Sequence, residues 1–398
     1  MKNLRLFWLC LLLSGCGGGG GGSSPSVAPA AINSIPISGT NVIAVYTAQN
    51  PTNINILLAS IMVCMPNTSN CQVIPNMLVD TGSYGIRLLK SAIPSVALST
   101  EIGAGGGPLS ECTQFASGYT WGKVQLADVV MGGERAYGLP IQVIDDVNAT
   151  PVPALPASCT GKSLGSASAM NANGILGIGA FPYDCGPNCQ QANNGIYFEC
   201  FASGCVSMGE PVSALVKNPV AKLASDNNGI ILELPQVPAS GVLNVTGSLI
   251  FGIGTRSNNA FGATSVIALN GFGNFTTLYK GTTLTNSFID SGSNGLFFPD
   301  ATIPACTNAS YYCPASTQQL TAIMQPSASA TSSVTVNFSV GNGTQLLTSN
   351  YATFSNLAGN SSDPTSFDWG LPFFFGRNVY FAISGAVTPW GTGPFVAF

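Results

Sequence analysis

Two acids stand in matching surroundings 210 residues apart, Asp80 and Asp290. Asn76-Met77-Leu78-Val79-Asp80-Thr81-Gly82-Ser83 carries an apolar run into an acid, a hydroxyl, a glycine and a second hydroxyl. Ser287-Phe288-Ile289-Asp290-Ser291-Gly292-Ser293 repeats that order. A strand that delivers a carboxylate into a tight glycine turn reads this way. One such turn is ordinary turn chemistry. Two, spaced by about a domain's length, imply one site shared between two halves. Like charges held close cannot both ionise cheaply, so one carboxyl keeps a proton and the other stays charged. The charged one activates a water, and the protonated one polarises a carbonyl. That division of labour hydrolyses a peptide bond. Gly82 and Gly292 give the backbone freedom to bring the turns together. Ser83 and Ser293 are placed to bond the outer carboxylate oxygens, or else to close local turns.

Other acids lack this context. Asp145 and Asp146 follow an apolar strand, but neighbours on a strand point to opposite faces. Asp300 and Asp368 stand outside any such turn. A carboxylate-pair glycosidase is the other hydrolase two acids allow. That chemistry does not require mirrored glycine turns.

Strands must position the two turns. Residues 41–63 alternate or run apolar, and Ile230–Leu234 and Ser248–Gly252 read the same way. Val334–Val340 alternates with period two. Gly103–Pro108 marks a loop. Pro211–Ala224 holds the clearest helix candidates, interrupted at Pro219. Many short strands, frequent turn signals and few helices give an all-β chain.

These features together resemble the pepsin-like aspartic proteases, in which each of two lobes supplies one Asp from an Asp-Thr/Ser-Gly turn. Asn173-Gly174-Ile175-Leu176-Gly177-Ile178-Gly179 is similar to the apolar-apolar-Gly segment that threads behind the first turn. Asp368-Trp369-Gly370-Leu371-Pro372 resembles its C-terminal partner. The resemblance covers most of residues 41–398, in the family's order. It implies a bilobal fold, with lobes at 41–255 and 256–398, and no metal or organic cofactor. Asp80 and Asp290 become the catalytic pair, and Thr81 and Ser291 cross-link the turns. The hairpin from Phe115 through Gly118 to Val124 is similar to the flap that closes over bound peptide. Phe115 stands where the family usually has Tyr, and Arg87 where it often has Trp. Tyr119 and Trp121 are the candidate substitutes. Both departures bear on efficiency rather than on fold.

Composition narrows the classes further. Histidine is absent from the 398 residues, which excludes a Ser-His-Asp triad, a Cys-His protease and His-ligated zinc. Charged residues make up 7% and net charge is −4, so the surface is polar through hydroxyls and amides. No basic cluster is present, and nucleic acid is not an expected partner.

Lys2 and Arg5 precede the apolar run Leu6–Leu13, which is too short to span a membrane. Leu13-Ser14-Gly15-Cys16 resembles a bacterial lipoprotein cleavage box. That implies removal of residues 1–15, a lipid on Cys16 and a tether over 16–40. Gly17 rather than Asp after Cys16 favours the outer membrane. No inhibitory prosegment is expected between Cys16 and the first strand. The other mature cysteines number ten, an even count that argues for disulfides in an exported chain. Cys64–Cys71 and Cys306–Cys313 are the first pairings expected. The cluster Cys185, Cys189, Cys200 and Cys205 leaves several pairings open, and zinc besides.

Two readings follow. One is a lipid-anchored, monomeric envelope endopeptidase acting on extended peptide or unfolded protein through Asp80 and Asp290. The other is a binding or structural lipoprotein of the same fold with little activity, motivated by Arg87 and Phe115.

Overall fold

Strands form where β-branched and aliphatic runs are bounded by glycine, proline and asparagine turns. The computed structural model describes residues 39–146, 155–307, 310–327 and 333–398. Residues 1–15, Cys16 and the tether as far as residue 38 lie outside the described residues. The described chain is all-β apart from five short 3-10 turns and two short α-helices, Ala167–Met170 and Gly343–Leu347. No described helix is long and apolar enough to cross a membrane.

The two acid turns sit in the same local topology. Cys71–Asp80 enters the first turn and Tyr84–Leu89 leaves it. Gly174–Ile178 threads between them, parallel to the entering strand and antiparallel to the leaving one. In the second half Thr282–Ile289 enters and Leu296–Phe297 leaves. Asp368–Trp369 threads between these, again parallel to the first and antiparallel to the second. Each leaving strand takes a parallel neighbour on its other edge, Glu134–Ile144 in one half and Ala358–Gly359 in the other. The chain is therefore two copies of one arrangement, each built around one Asp.

The described strands form a 16-stranded sheet, a seven-stranded sheet and a two-stranded ribbon. The seven-stranded sheet lies wholly within residues 275–369. The larger sheet crosses residue 255. Its strand Gly229–Leu234 pairs with Thr246–Phe251 on one side and with Arg377–Ala382 on the other. One apolar core runs from Ile43 to Val396 beneath both halves. Within it Phe298, Phe367 and Trp369 stack, with ring centroids 4.6 and 4.0 Å apart. The Trp369 indole N–H donates to Thr277 Oγ1 at 3.1 Å, so the buried ring leaves no donor unmet.

Residues 211–224 do not form the helix their composition suggests; only the 3-10 turn Val220–Lys222 is helical. Ala214, Leu215, Val216 and Val220 are all buried, so no single helical face suffices. The Val216 N–H donates to the Tyr197 hydroxyl, and the Asn218 amide donates to the carbonyls of Gly179 and Phe181. Tertiary partners for the backbone displace the helical ones.

All ten cysteines among the described residues pair: Cys64–Cys71, Cys112–Cys159, Cys185–Cys189, Cys200–Cys205 and Cys306–Cys313. The four clustered cysteines are thus disulfides. Cys112–Cys159 closes the longest loop, at a separation of 47 residues. Chain entropy assigns such a closure about 4 kcal/mol. Replacing both cysteines by serine is expected to lower unfolding free energy by roughly that amount in a denaturant titration, with little change in far-UV circular dichroism.

Candidate active site

The turns interlock through their second residues. The Thr81 N–H donates to Ser291 Oγ at 3.1 Å, and the Ser291 N–H donates to Thr81 Oγ1 at 2.9 Å. The Ser291 hydroxyl donates to the Val79 carbonyl at 2.7 Å, and the Thr81 hydroxyl to the Ile289 carbonyl at 3.4 Å. Both residues are buried. Each turn therefore satisfies the other's backbone, which fixes the separation of the two acids.

Asp80 and Asp290 meet across this lock. The Gly82 N–H is shared between Asp80 Oδ1 at 2.8 Å and Asp290 Oδ1 at 3.1 Å. The Gly292 N–H donates to Asp290 Oδ1 at 2.7 Å. Ser83 donates to Asp80 Oδ2 at 2.5 Å and Ser293 to Asp290 Oδ2 at 2.9 Å. The two serines thus hold the outer oxygens and leave the inner ones facing each other. Neither glycine adopts a left-handed backbone. Their necessity is space: a Cβ on Gly82 would lie 2.6 Å from Asp290 Cγ, and one on Gly292 would lie 2.9 Å from Asp80 Oδ1. The sequence suggested conformational freedom; close approach is the actual demand.

Burial comes first among the forces that push Asp290 well above the usual carboxylate range, followed by the charges of Asp80 and Asp368. Burial and like charge thus favour the protonated form of Asp290. Tyr84 adds a phenol to the site. Burial, then the charges of Asp80 and Asp290, push it up, so it stays a neutral donor. Its ring sits edge-on to Phe181 at 5.3 Å. A pocket of about 200 Å³ borders the first turn, lined by Thr81, Gly82, Tyr84, Phe272, Phe288 and Ile289 among others. A pocket of about 520 Å³ near Tyr380 is larger but includes no residue of either acid turn.

A family model described as "Protein of unknown function (DUF3443)" matches residues 31–398. The chain belongs to this family. No curated protein matches the sequence. Among solved structures, an aspartic proteinase from Irpex lacteus is similar at 14% identity and a TM-score of 0.48, covering 89% of this chain and 96% of the other.

In this DUF3443 chain the threaded segments lie where the sequence placed them. Ile175 and Leu176 are buried beside Leu78 and Val79, and Gly177 is opposite Asp80. Trp369 is opposite Ile289, and Gly370 follows it. Phe115 and Gly118 close a hairpin of Leu109–Phe115 with Gly118–Met131. Its tip is tied down. Tyr119 exchanges backbone hydrogen bonds with Lys162 and Leu164, and Cys112 is bonded to Cys159. Phe115 packs against the cluster of Leu89, Ile144 and Leu164 and over the Arg87 guanidinium at 5.7 Å. Tyr119 and Trp121 pack with Phe198 and the cysteines near Cys112 instead of standing by the acids. Tyr84 is the tyrosine that feels the charge of both acids. Its place in the strand leaving the turn was the signal available in sequence.

Arg87 is buried at 1% exposure. It donates to Glu111 Oε1 at 2.6 Å, the Tyr84 carbonyl at 2.9 Å and Thr113 Oγ1 at 3.0 Å, with Asp184 at 3.5 Å. It therefore pins the hairpin to the strand that leaves Asp80. Burial, then the charge of Glu111, push Asp184 well up. The Tyr197 hydroxyl donates to Asp184 Oδ2 at 2.8 Å. Removing Arg87 leaves Glu111 buried without its cation. Arg87→Met is expected to cost about 3–5 kcal/mol in a denaturant titration. Adding Glu111→Gln should recover part of that loss.

Asp368, set aside in sequence, sits beside the dyad. Burial pushes its carboxyl up to about 8, with the Asp80 charge adding to the rise and Ser293 opposing it. An acid raised on folding holds a proton that the unfolded chain releases. Its stabilising contribution is whole below its ordinary value of 3.8 and is lost as pH climbs to about 8. Between those limits wild type should lose up to about 1.4 kcal/mol per pH unit relative to Asp368→Asn. Denaturant titrations of both chains across that range check the slope.

Proposed function

We propose that this protein is an aspartic-type endopeptidase that cleaves extended peptides or unfolded protein, held in the bacterial envelope by a lipid on Cys16, at the outer membrane. The observation that carries the reading is the single Gly82 N–H shared by the carboxylates of Asp80 and Asp290. Two acids that close keep one proton between them, which is the charge state hydrolysis requires. The ionised carboxylate takes a proton from water as the water oxygen attacks the scissile carbonyl carbon. The other acid gives its proton to the carbonyl oxygen. The tetrahedral product then expels the amine, which leaves with a proton from the dyad. The scheme uses no metal or organic cofactor. The aromatic wall formed by Tyr84, Phe272 and Phe288 suits an apolar side chain of the substrate.

One observation favours a second reading. The hairpin expected to open and close is tied at its tip to residues 159–164. A protein that only binds peptide would tolerate such a hairpin.

Cleavage of an unfolded protein by the purified, oxidised full chain, from acid to neutral pH, separates the two. Wild type should cleave, and Asp80→Asn and Asp290→Asn should each lose about 10³-fold or more. Cleavage that survives either substitution rejects the dyad. Absence of cleavage by folded wild type leaves the binding reading.

A further inference from the structure

The chain has four tryptophans, and they lie in different surroundings. Trp8 falls in the leader read at residues 1–15. Trp121 and Trp369 are buried. Trp390 is 58% exposed, although an indole is mostly apolar surface. It stands at the turn of the two-stranded ribbon Val387–Thr388 and Gly391–Thr392. Its ring is held in place by stacking on Phe261, with centroids 4.5 Å apart. The Trp390 N–H donates to Thr388 Oγ1 at 3.2 Å, and that hydroxyl donates to the Gly391 carbonyl at 2.9 Å. The Asn228 amide donates to the Val387 carbonyl at 3.0 Å. Val387 itself is 73% exposed. No charged side chain occurs from Asn378 to Phe398, or from Ser257 to Tyr279. One exposed apolar residue needs no explanation. A fixed Trp beside an exposed Val, in uncharged surroundings, has the composition of a contact with a membrane interface.

The ribbon stands at the root of the tether. Pro389 packs against Gly254, where a Cβ would lie 2.3 Å from Pro389 Cγ. Two residues further on, Arg256 donates to Thr40 Oγ1 at 3.0 Å. Asn258 donates to Asn41 Oδ1 at 2.8 Å. Thr40 and Asn41 stand at the start of the described chain, next after residues 16–38. Those 23 residues keep the domain within about 80 Å of Cys16. We infer that the Val387–Thr392 ribbon docks on the lipid bilayer that carries the Cys16 anchor, with Trp390 and Val387 seated in its interface, so that the anchored protein holds one orientation at the membrane. This rests on the lipid anchor proposed at Cys16.

Magnitudes show why the ribbon acts only beside an anchor. A single acyl chain gives marginal, reversible membrane binding, and one Trp with one Val buries less apolar surface than such a chain. A free domain would therefore leave the bilayer. Once Cys16 is anchored, docking is intramolecular and works at an effective concentration of about millimolar, where a weak contact suffices. The indole suits the interface because its ring is apolar and its N–H polar. The uncharged surroundings avoid the cost of stripping water from ions as the ribbon seats.

The test uses the oxidised chain from Cys16 onward, since every described element lies in residues 39–398. Cys16 is the one cysteine of that chain outside the five disulfides, so its thiol is coupled to a maleimide-bearing phospholipid in vesicles that contain brominated lipid. Trp8 is gone and the other two tryptophans are buried, so a change in emission reports Trp390. Wild-type emission should shift to the blue and be quenched by bromine near the headgroups. Val387→Asp should reduce the docking equilibrium about tenfold, while Val387→Leu should keep it. Quenching that survives Trp390→Phe overturns the proposal, and so does Val387→Asp quenched like wild type. Mass spectrometry of the full chain recovered from bacterial membranes tests the anchor separately. Cys16 without acyl chains overturns the anchor and the ribbon's role with it, whatever the vesicles show. Acylated Cys16 with unquenched Trp390 overturns the ribbon alone, and the exposed Trp390 then belongs to a protein contact.

Discussion

Two carboxylates of like charge have to be held within reach of one N–H, and no cation among the described residues offsets them. That constraint shapes what surrounds them. Repulsion would part the turns if their backbones were free. The reciprocal bonds around Thr81 and Ser291 remove that freedom, because separating the turns would break four buried hydrogen bonds. With geometry fixed, the remaining adjustment is protonation, and burial of Asp290 takes it. The held proton follows from the rigidity of the lock. The glycines obey the same constraint, since any Cβ there would occupy the space of the opposing acid.

Charge is scarce in this chain, and what there is sits at joints. Arg87 joins the strand leaving Asp80 to Glu111 on the hairpin and to Asp184 in the loop beyond the threaded strand. Arg256 joins Asp226 and Glu134. Glu199 accepts the N–H groups of Gly105 and Gly107 at 2.5 and 2.6 Å, clasping the glycine-rich loop. These contacts bridge segments far apart in sequence. A buried pair such as Arg87–Glu111 adds little net stability over apolar packing, but breaking it is expensive. Its value here is positional: it fixes the hairpin to the strand that leaves the first turn.

What was legible in sequence was local. The acid turns announce themselves because strand, acid, hydroxyl and glycine are contiguous. Cys64–Cys71 and Cys306–Cys313 were legible because seven residues separate each pair. Cys112–Cys159 was not, since only the folded hairpin brings residues 47 apart together. Residues 211–224 misled because their apolar spacing suits a helix, whereas their backbone N–H groups bond the Tyr197 hydroxyl and the carbonyls of Pro140 and Pro182. Arg87 looked like a loss where an aromatic was expected. Its compensation is spread over Glu111, Thr113 and Asp184, none of them near it in sequence. Asp368 was dismissed for want of a glycine turn, because its relation to Asp290 exists only through a parallel pairing of strands 80 residues apart.

The register of that pairing explains how a third acid is held at the dyad. Phe367 and Trp369 lie on the core face, stacked with centroids 4.0 Å apart, and Asp368 takes the other face. Slipping the strand by one residue would turn Asp368 into the core and both aromatics out of it. Each aromatic represents several kcal/mol of burial, and an unpaired carboxyl in the core adds a further penalty. The stack is joined to Phe298, just past Leu296–Phe297, and to Phe338 of Val334–Val340, and the Trp369 indole is bonded to Thr277, so the register has no soft alternative. An acid that the core would reject is thereby kept opposite Phe288, two residues before Asp290, by the residues on either side of it.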